Sequence, residues 1–132
     1  MFKLVSESAR ENARAWLAAI EDMLAALDRA KEEGAYELPE DAERIIRDRV
    51  QSVMVRDGWR RPGNTSKPEE YVILLTERPP LRVCGKLDEH CRPTSAELQM
   101  QDWLMPVTVY DEASEETLET LLKFASVFRF GD

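Results

Sequence analysis

Four segments decide the fold: Ser52-Val-Met-Val-Arg56, Tyr71-Val-Ile-Leu-Leu-Thr76, Leu81-Arg-Val-Cys-Gly-Lys-Leu87 and Ala96-Glu-Leu-Gln-Met-Gln101. In each segment, apolar or β-branched residues recur at every second position, the period at which side chains alternate between the faces of a sheet. The linkers are short and contain proline, glycine and asparagine, which favours antiparallel neighbours. The sequence between Val50 and Tyr110 therefore predicts a four-stranded antiparallel meander.

The alternation also assigns residues to two faces of this sheet. The apolar face is predicted to carry Val53, Val55, Leu81, Val83, Leu87, Ala96, Leu98 and Met100, and the polar face Arg56, Arg82, Cys84, Lys86, Glu97, Gln99 and Gln101. The segment Tyr71–Thr76 is apolar at both parities, which indicates an interior strand. We therefore expect helices to cover one face and water to reach the other.

Three amphipathic helices are predicted around this sheet. Residues 9–33 carry an apolar stripe at three- and four-residue steps, and Gly34 provides a stop. Residues 39–50 begin with Pro39, which suits a first helical turn. Residues 114–130 begin with Ser114 as N-cap and include Leu118 in the buried stripe. The expected class is α+β: two N-terminal helices, the meander and a C-terminal helix, in a single domain over residues 1–132.

The composition is that of an ordinary folded protein, with 43% hydrophobic and 33% charged residues. No apolar run approaches the roughly 20 residues that a membrane helix needs, and no secretory signal is visible at the N-terminus. We therefore expect a cytoplasmic protein. Cys84 and Cys91 are expected to stay reduced there, because two cysteines are too few for a disulfide scaffold.

The formal net charge is −8, and its densest acidic segment carries no base. That segment contains Asp111, Glu112, Glu115, Glu116 and Glu119. Such a surface repels phosphate backbones, so direct nucleic-acid binding is not expected. Two interpretations stay open: a solvated helix face, or a docking surface for a basic protein.

No motif for catalysis or metal binding is present. The single histidine, His90, lies between Glu89 and Cys91, and this spacing matches no structural zinc site. No glycine-rich loop precedes a helix as phosphate-binding motifs require. We predict no catalytic residue, no cofactor and no metal. An enzyme with a site built from dispersed carboxylates remains an alternative, because spatial constellations can be invisible in sequence.

Large aromatic side chains follow the ends of the predicted strands. Trp103 and Tyr110 lie just beyond the fourth segment, where amphipathic rings often anchor an interface. Such rings also commonly cap the end of a core with one edge in water. Both interpretations are compatible with the sequence.

The second half of the chain resembles small, largely uncharacterised proteins encoded in bacteriophage and prophage genomes. The resemblance covers about residues 50–131, and the first helix resembles theirs more loosely. It is carried by Asp57-Gly58-Trp59, Arg82-Val-Cys-Gly-Lys-Leu-Asp88, Gln101-Asp102-Trp103, Pro106, Thr108, Tyr110 and Phe128-Arg-Phe-Gly131. It brings no catalytic residue with it.

The resemblance implies a context in which small acidic phage proteins antagonise host immunity. We therefore expect a non-catalytic, anti-CRISPR-like protein that binds a host protein in the bacterial cytoplasm, through an acidic surface complementary to the basic groove of a CRISPR effector or restriction enzyme. The expected contacts are Trp103, Tyr110, Asp111, Glu112, Glu115, Glu116 and Glu119. No membrane partner is expected. The main alternative is a homo-oligomeric accessory phage protein that associates through the open face of the sheet.

Overall fold

The protein, in a computed structural model, is described over residues 7–57, 62, 68–77, 80–101, 108–110 and 113–131. Its elements follow in the order α1 (Glu7–Ala30), α2 (Pro39–Arg49), β1 (Ser52–Asp57), β2 (Pro68–Glu77), β3 (Pro80–Lys86), β4 (Glu97–Met100), β5 (Thr108–Val109) and α3 (Glu115–Ala125). This order confirms the α+β class with two N-terminal helices, an antiparallel sheet and a C-terminal helix.

The strands form one antiparallel sheet in which each strand pairs with the next along the chain. Strands β1 to β4 are the predicted meander, and β2 is interior as expected. Strand β5 adds two residues to the far edge of β4, pairing Val109 with Gln99. The predicted sheet region, about residues 52–110, includes these residues, but the sequence did not single out a fifth strand, because two residues are too few to display an alternating pattern.

The two faces of the sheet differ in burial as the alternation predicts. Along β2, Tyr71, Ile73 and Leu75 are at most 1% exposed, whereas the residues between them are only half-buried. The covered face of β3 and β4 is buried in the same way, through Leu81 and Leu98 among others. Val53 and Val55 lie on this face as predicted, but they are exposed, because β1 is the edge strand and the helices do not cover it.

Helix α1 packs one stripe of small and branched side chains into the core. Ala13 and Ile20 are fully buried, and Leu27 nearly so. The helix ends at Ala30, one turn earlier than predicted, because the amide of Glu32 bonds to the carbonyl of Arg29 in a tighter turn. Gly34 then adopts a φ of 82°, a conformation that glycine takes without steric cost.

Helix α3 is also shorter than predicted, ending at Ala125. The residues after it turn back over the sheet and complete an aromatic cluster. The ring of Phe130 lies 4.7 Å from that of Tyr71, and Phe128 meets Phe124 edge-to-face at 5.2 Å. Such geometry adds about 0.5–1.5 kcal/mol per pair beyond simple burial. Leu118, placed in the buried stripe by its spacing, is instead 40% exposed.

Side chains of α2 join it to α1 and to the C-terminal segment. The guanidinium of Arg49 lies 5.4 Å from the centre of the Trp16 ring, within range of a cation–π contact. Arg47 donates a hydrogen bond of 3.4 Å to the carbonyl of Val127. None of the helices in the described residues is long and apolar enough to cross a membrane.

The main chain at Ser95 crosses the sheet at Gly85. The hydroxyl of Tyr71 donates a hydrogen bond of 2.7 Å to the carbonyl of Ser95. A Cβ atom at Gly85 would lie only 2.0 Å from that same carbonyl oxygen. Glycine is therefore required here by close approach of the backbone.

Candidate binding surfaces

The first two turns of α3 carry three carboxylates, Glu115, Glu116 and Glu119, which we call the acidic turn. Ser114 fixes the start of the helix, because its hydroxyl oxygen accepts a hydrogen bond of 3.2 Å from the amide of Thr117. Glu115 and Glu116 then fall in the first turn, where the positive end of the helix dipole favours negative charge.

All three carboxylates of the acidic turn are exposed. Among the described residues, no arginine, lysine or histidine forms an ion pair with them. Leu118 follows Glu115 by about one turn, at one edge of the acidic turn, and exposes 40% of its surface. The acidic turn therefore presents negative charge that no ion pair among the described residues neutralises, beside an apolar side chain.

The remaining predicted contact residues divide into two groups. Trp103, Asp111 and Glu112 lie outside the described residues. Tyr110 is described, and it is only 5% exposed, within the hydrophobic core. Its amide donates a hydrogen bond of 2.8 Å to the carbonyl of Leu98, which holds this residue against β4. In this structure Tyr110 caps the core, and its ring is not available as an interface anchor.

The face of the sheet opposite the helices lines a shallow cleft of about 710 Å³. Its apolar floor includes Met54 and Val72, and its charged residues are Arg56, Glu70, Arg82, Lys86 and Glu97. Three bases against two acids make this face locally less negative than the chain as a whole. The polar face predicted from the alternation is thus present and open to water.

The polar groups of this open face are largely engaged with one another. Arg56 forms an ion pair with Glu70 on the neighbouring strand. This hydrogen bond lowers the pKa of Glu70 and raises that of Arg56. Arg56 is exposed and Glu70 is about one-third exposed, so water and salt screen the pair.

A second chain of hydrogen bonds crosses from β3 to β4. Arg82 donates through Nε to Oε1 of Gln99 at 2.8 Å, and Gln99 donates through Nε2 to Oε1 of Glu97 at 2.6 Å. The thiol of Cys84 lies 3.8 Å from the same carboxylate oxygen. The two carboxylates that line the cleft, Glu70 and Glu97, are therefore each already hydrogen-bonded.

Cys84 is poorly suited to act as a nucleophile. Burial, together with the negative charge of Glu97, raises the pKa of its thiol to about 11. The thiolate is the reactive form, so little of it is present at neutral pH. Cys84 and Cys91 are both free thiols.

The turn between β3 and β4 is organised by a carboxylate. One oxygen of Asp88 accepts the amides of His90 at 2.8 Å and of Arg92 at 3.0 Å. The amide of Arg92, followed by that of His90, lowers the pKa of Asp88. His90 itself is exposed, with Nε2 3.4 Å from Glu89. The described residues contain no group of three or more potential ligands that could hold a metal ion.

Strand β1 presents exposed apolar residues that sequence reasoning did not single out. Val53, Met54 and Val55 are 37%, 59% and 43% exposed. The only sequence signal was the position of this segment as the first strand of a meander, which makes it an edge. Its apolar alternation instead suggested burial.

Comparisons with known proteins assign this chain to no family. No family model matches the chain, and neither the curated proteins nor the solved structures gave a match. Function must therefore be argued from the geometry and charge of the surfaces themselves.

Proposed function

We propose that this chain is a non-catalytic binding protein that docks its acidic turn on a basic surface of a host protein. The proposal rests on one observation: Glu115, Glu116 and Glu119 are exposed together without ion pairs among the described residues. Like charges held this close repel one another in the free protein. A basic partner would relieve that repulsion and would gain from complementary charge.

Leu118 gives the acidic turn an apolar contact. Interfaces commonly combine apolar and charged contacts, because apolar burial supplies affinity and charge supplies orientation and on-rate. Leu118 lies at one edge of this arrangement, about 60° around the helix from Glu115 and about 160° from Glu116. It takes the anchoring role that the sequence had suggested for Tyr110.

The resemblance to phage-encoded proteins supplies the kind of partner. A phage protein that inhibits a nucleic-acid-handling defence complex, such as a CRISPR effector or a restriction enzyme, acts in the cytoplasm of the bacterial host. Such targets bind nucleic acid through basic grooves. We propose that the acidic turn occupies a groove of this kind and excludes the nucleic acid from it.

The test is capture of partners from bacterial lysate with the tagged protein. We expect a partner to be retained at about 50 mM salt and lost at about 500 mM, because screening weakens contacts between exposed charges. Added duplex DNA should displace the partner if both compete for one groove. The triple reversal Glu115→Lys, Glu116→Lys, Glu119→Lys should abolish capture without changing the thermal unfolding profile.

A matched control distinguishes the effect of the acidic turn on capture from the effect of the net charge. The triple reversal Glu32→Lys, Glu33→Lys, Glu37→Lys changes the net charge by the same amount at exposed positions after α1. It should retain capture. Equal loss in both triple variants would show that only overall charge matters, and unchanged capture after reversal of the acidic turn would refute the proposal.

The second candidate function, a homo-oligomeric accessory protein, was expected to use the open face of the sheet. The ion pair and hydrogen bonds of that face are made within one chain. Exposed apolar side chains with which two copies could associate lie at the edge strand β1, with Val53 and Val55 on the covered face and Met54 on the open face.

A further inference from the structure

Strand β1 is exposed on both of its faces, and no strand among the described residues pairs with its outer edge. Val53 and Val55 on the covered face are 37% and 43% exposed, and Met54 on the open face is 59% exposed. Within the part of the chain that the structure describes, β1 pairs only with β2. An edge strand presents a row of backbone N–H and C=O groups that can pair with another strand.

We propose that β1 pairs with β1 of a second copy of this chain, antiparallel and about a two-fold axis. The sheets of the two copies would then join into one continuous sheet. This association uses the edge opposite β5 and does not involve the acidic turn on α3, so it stands or falls independently of the proposed function.

The sequence of β1 is complementary to itself in one register. A two-fold axis normal to the sheet keeps the covered faces of the two copies on the same side. Residues that face each other must then point to the same face, so their numbers differ by an even amount. One residue therefore lies at the axis, opposite its own copy. With Met54 on the axis, Val53 faces Val55 of the second copy, and the two Met54 side chains meet. Ser52 then faces Arg56, a pairing that brings no like charges together.

The neighbouring registers lose this match. With Val55 on the axis, Val53 would face Asp57 and Met54 would face Arg56, so apolar side chains would lie against charges. With Val53 on the axis, Val55 would face Gln51 and Met54 would face Ser52, so apolar side chains would lie against polar ones. Cross-strand partners contribute about 0.2–1 kcal/mol each, and every such difference counts twice in a symmetric dimer.

The geometry of β1 selects the same register. Pairing with β2 is regular from Ser52 to Arg56, and the register shifts between Arg56 and Asp57. Such an irregularity ends regular pairing and bends the strand. The regular segment is centred on Met54, so placing Met54 on the axis uses its whole length in both copies.

One strand pair makes a small interface, so the dimer is expected to be concentration-dependent. Small interfaces usually belong to weak complexes. Sedimentation velocity from about one to a few hundred micromolar should therefore show a monomer–dimer equilibrium. A single monomeric species over that whole range would overturn the proposal.

The variant Met54→Lys tests the edge. It places two ammonium groups opposite each other on the axis, and Met54 is exposed enough for the monomer to keep its fold. We expect the dissociation constant to rise at least about tenfold. Val109→Lys is the matched control, since Val109 is 48% exposed on the opposite edge of the sheet. Equal effects of both variants, or none from Met54→Lys, would refute pairing through β1.

Single cysteine variants test the register. Met54→Cys puts two thiols at directly opposite positions, within the Cα separation that a disulfide tolerates. In Val53→Cys the two cysteines would be two residues out of register, and their Cα atoms would be farther apart than a disulfide tolerates. Under mild oxidation, peptide mapping should find the intermolecular disulfide in Met54→Cys and not in Val53→Cys. Cross-linking of Val53→Cys instead would contradict the proposed axis.

Discussion

Val53 and Val83 are the same residue on the same face of the sheet, and both lie directly opposite Ile73. Yet Val53 is 37% exposed and Val83 is fully buried. The difference lies in coverage: α1 and α3 reach β4 on one side of the sheet, whereas β1 lies at the far edge. Alternation thus sets the face on which a side chain lies, and the neighbouring layer sets whether it is buried.

The largest loss of stability is expected at Gly85, which lies two residues after Val83 in β3, on the same face of the sheet. Val55, Tyr71 and Gly85 lie opposite one another across β1, β2 and β3. In Gly85→Ala the new Cβ would strike the main chain of Ser95, and we expect a loss of about 3 kcal/mol, the upper end for overpacking. Urea denaturation measures it. Val55→Ala, in the same row at the exposed edge, should change stability by less than about 0.5 kcal/mol.

If Gly85→Ala unfolds at the same urea concentration as the unaltered chain, the close passage of Ser95 over β3 is wrong. A loss of similar size in Val55→Ala would mean that the edge strand is covered in solution. Repeating that measurement at low and high protein concentration would then attribute the coverage to a second copy.

A direct test of the comparison substitutes the two matched valines. Val83→Ala removes two buried methyl groups and should cost about 1–3 kcal/mol. Val53→Ala removes the same groups from a surface position and should stay within about 0.5 kcal/mol. The difference between the two urea midpoints measures what helix coverage contributes at one position. At a protein concentration that keeps the chain monomeric, equal midpoints would contradict the assignment of β1 to the edge.

The smallest effect is expected in the turn after β3, where charge rather than apolar burial acts. Backbone amides lower the pKa of Asp88 in the folded chain, so the ionised carboxylate stabilises the fold above the pKa of the unfolded chain. That contribution is lost as the pH falls through the lowered pKa. Asp88→Asn should therefore lower the unfolding temperature slightly at pH 7, with the difference shrinking towards pH 2.

Thermal melts at several pH values provide this measurement. Glu89→Gln is the control, because Glu89 is exposed in the same turn and accepts neither of the two amide hydrogen bonds made to Asp88. A pH dependence in Asp88→Asn identical to that of the unaltered chain would show that these hydrogen bonds do not favour the ionised carboxylate.

Much of the fold could be predicted because the sheet segments and helix stripes are periodic. The ends of α1 and α3 could not, because local turns such as the one at Glu32 compete with the helix only in the folded chain. Leu118 shows the same limit: its spacing matches a buried stripe, but periodicity does not reveal where the covering surface stops.

The binding surfaces were only partly predictable. The exposure of Glu115, Glu116 and Glu119 follows from their charge and from the helix they begin. The burial of Tyr110 does not, because an aromatic ring at a strand end can either anchor an interface or cap a core, and tertiary packing decides which. The exposure of Val53 and Val55 in β1 was not predicted, because the apolar alternation that identified this strand also suggested burial.

The neighbour-to-neighbour pairing of β1 to β4 also bears on how fast the chain folds. Each hairpin of the meander joins segments close in sequence, so little loop entropy opposes its formation. The packing of α1 against α3 instead joins segments at least 85 residues apart. Because contacts of long sequence separation slow folding, docking of these two helices should be the late step that sets the overall rate.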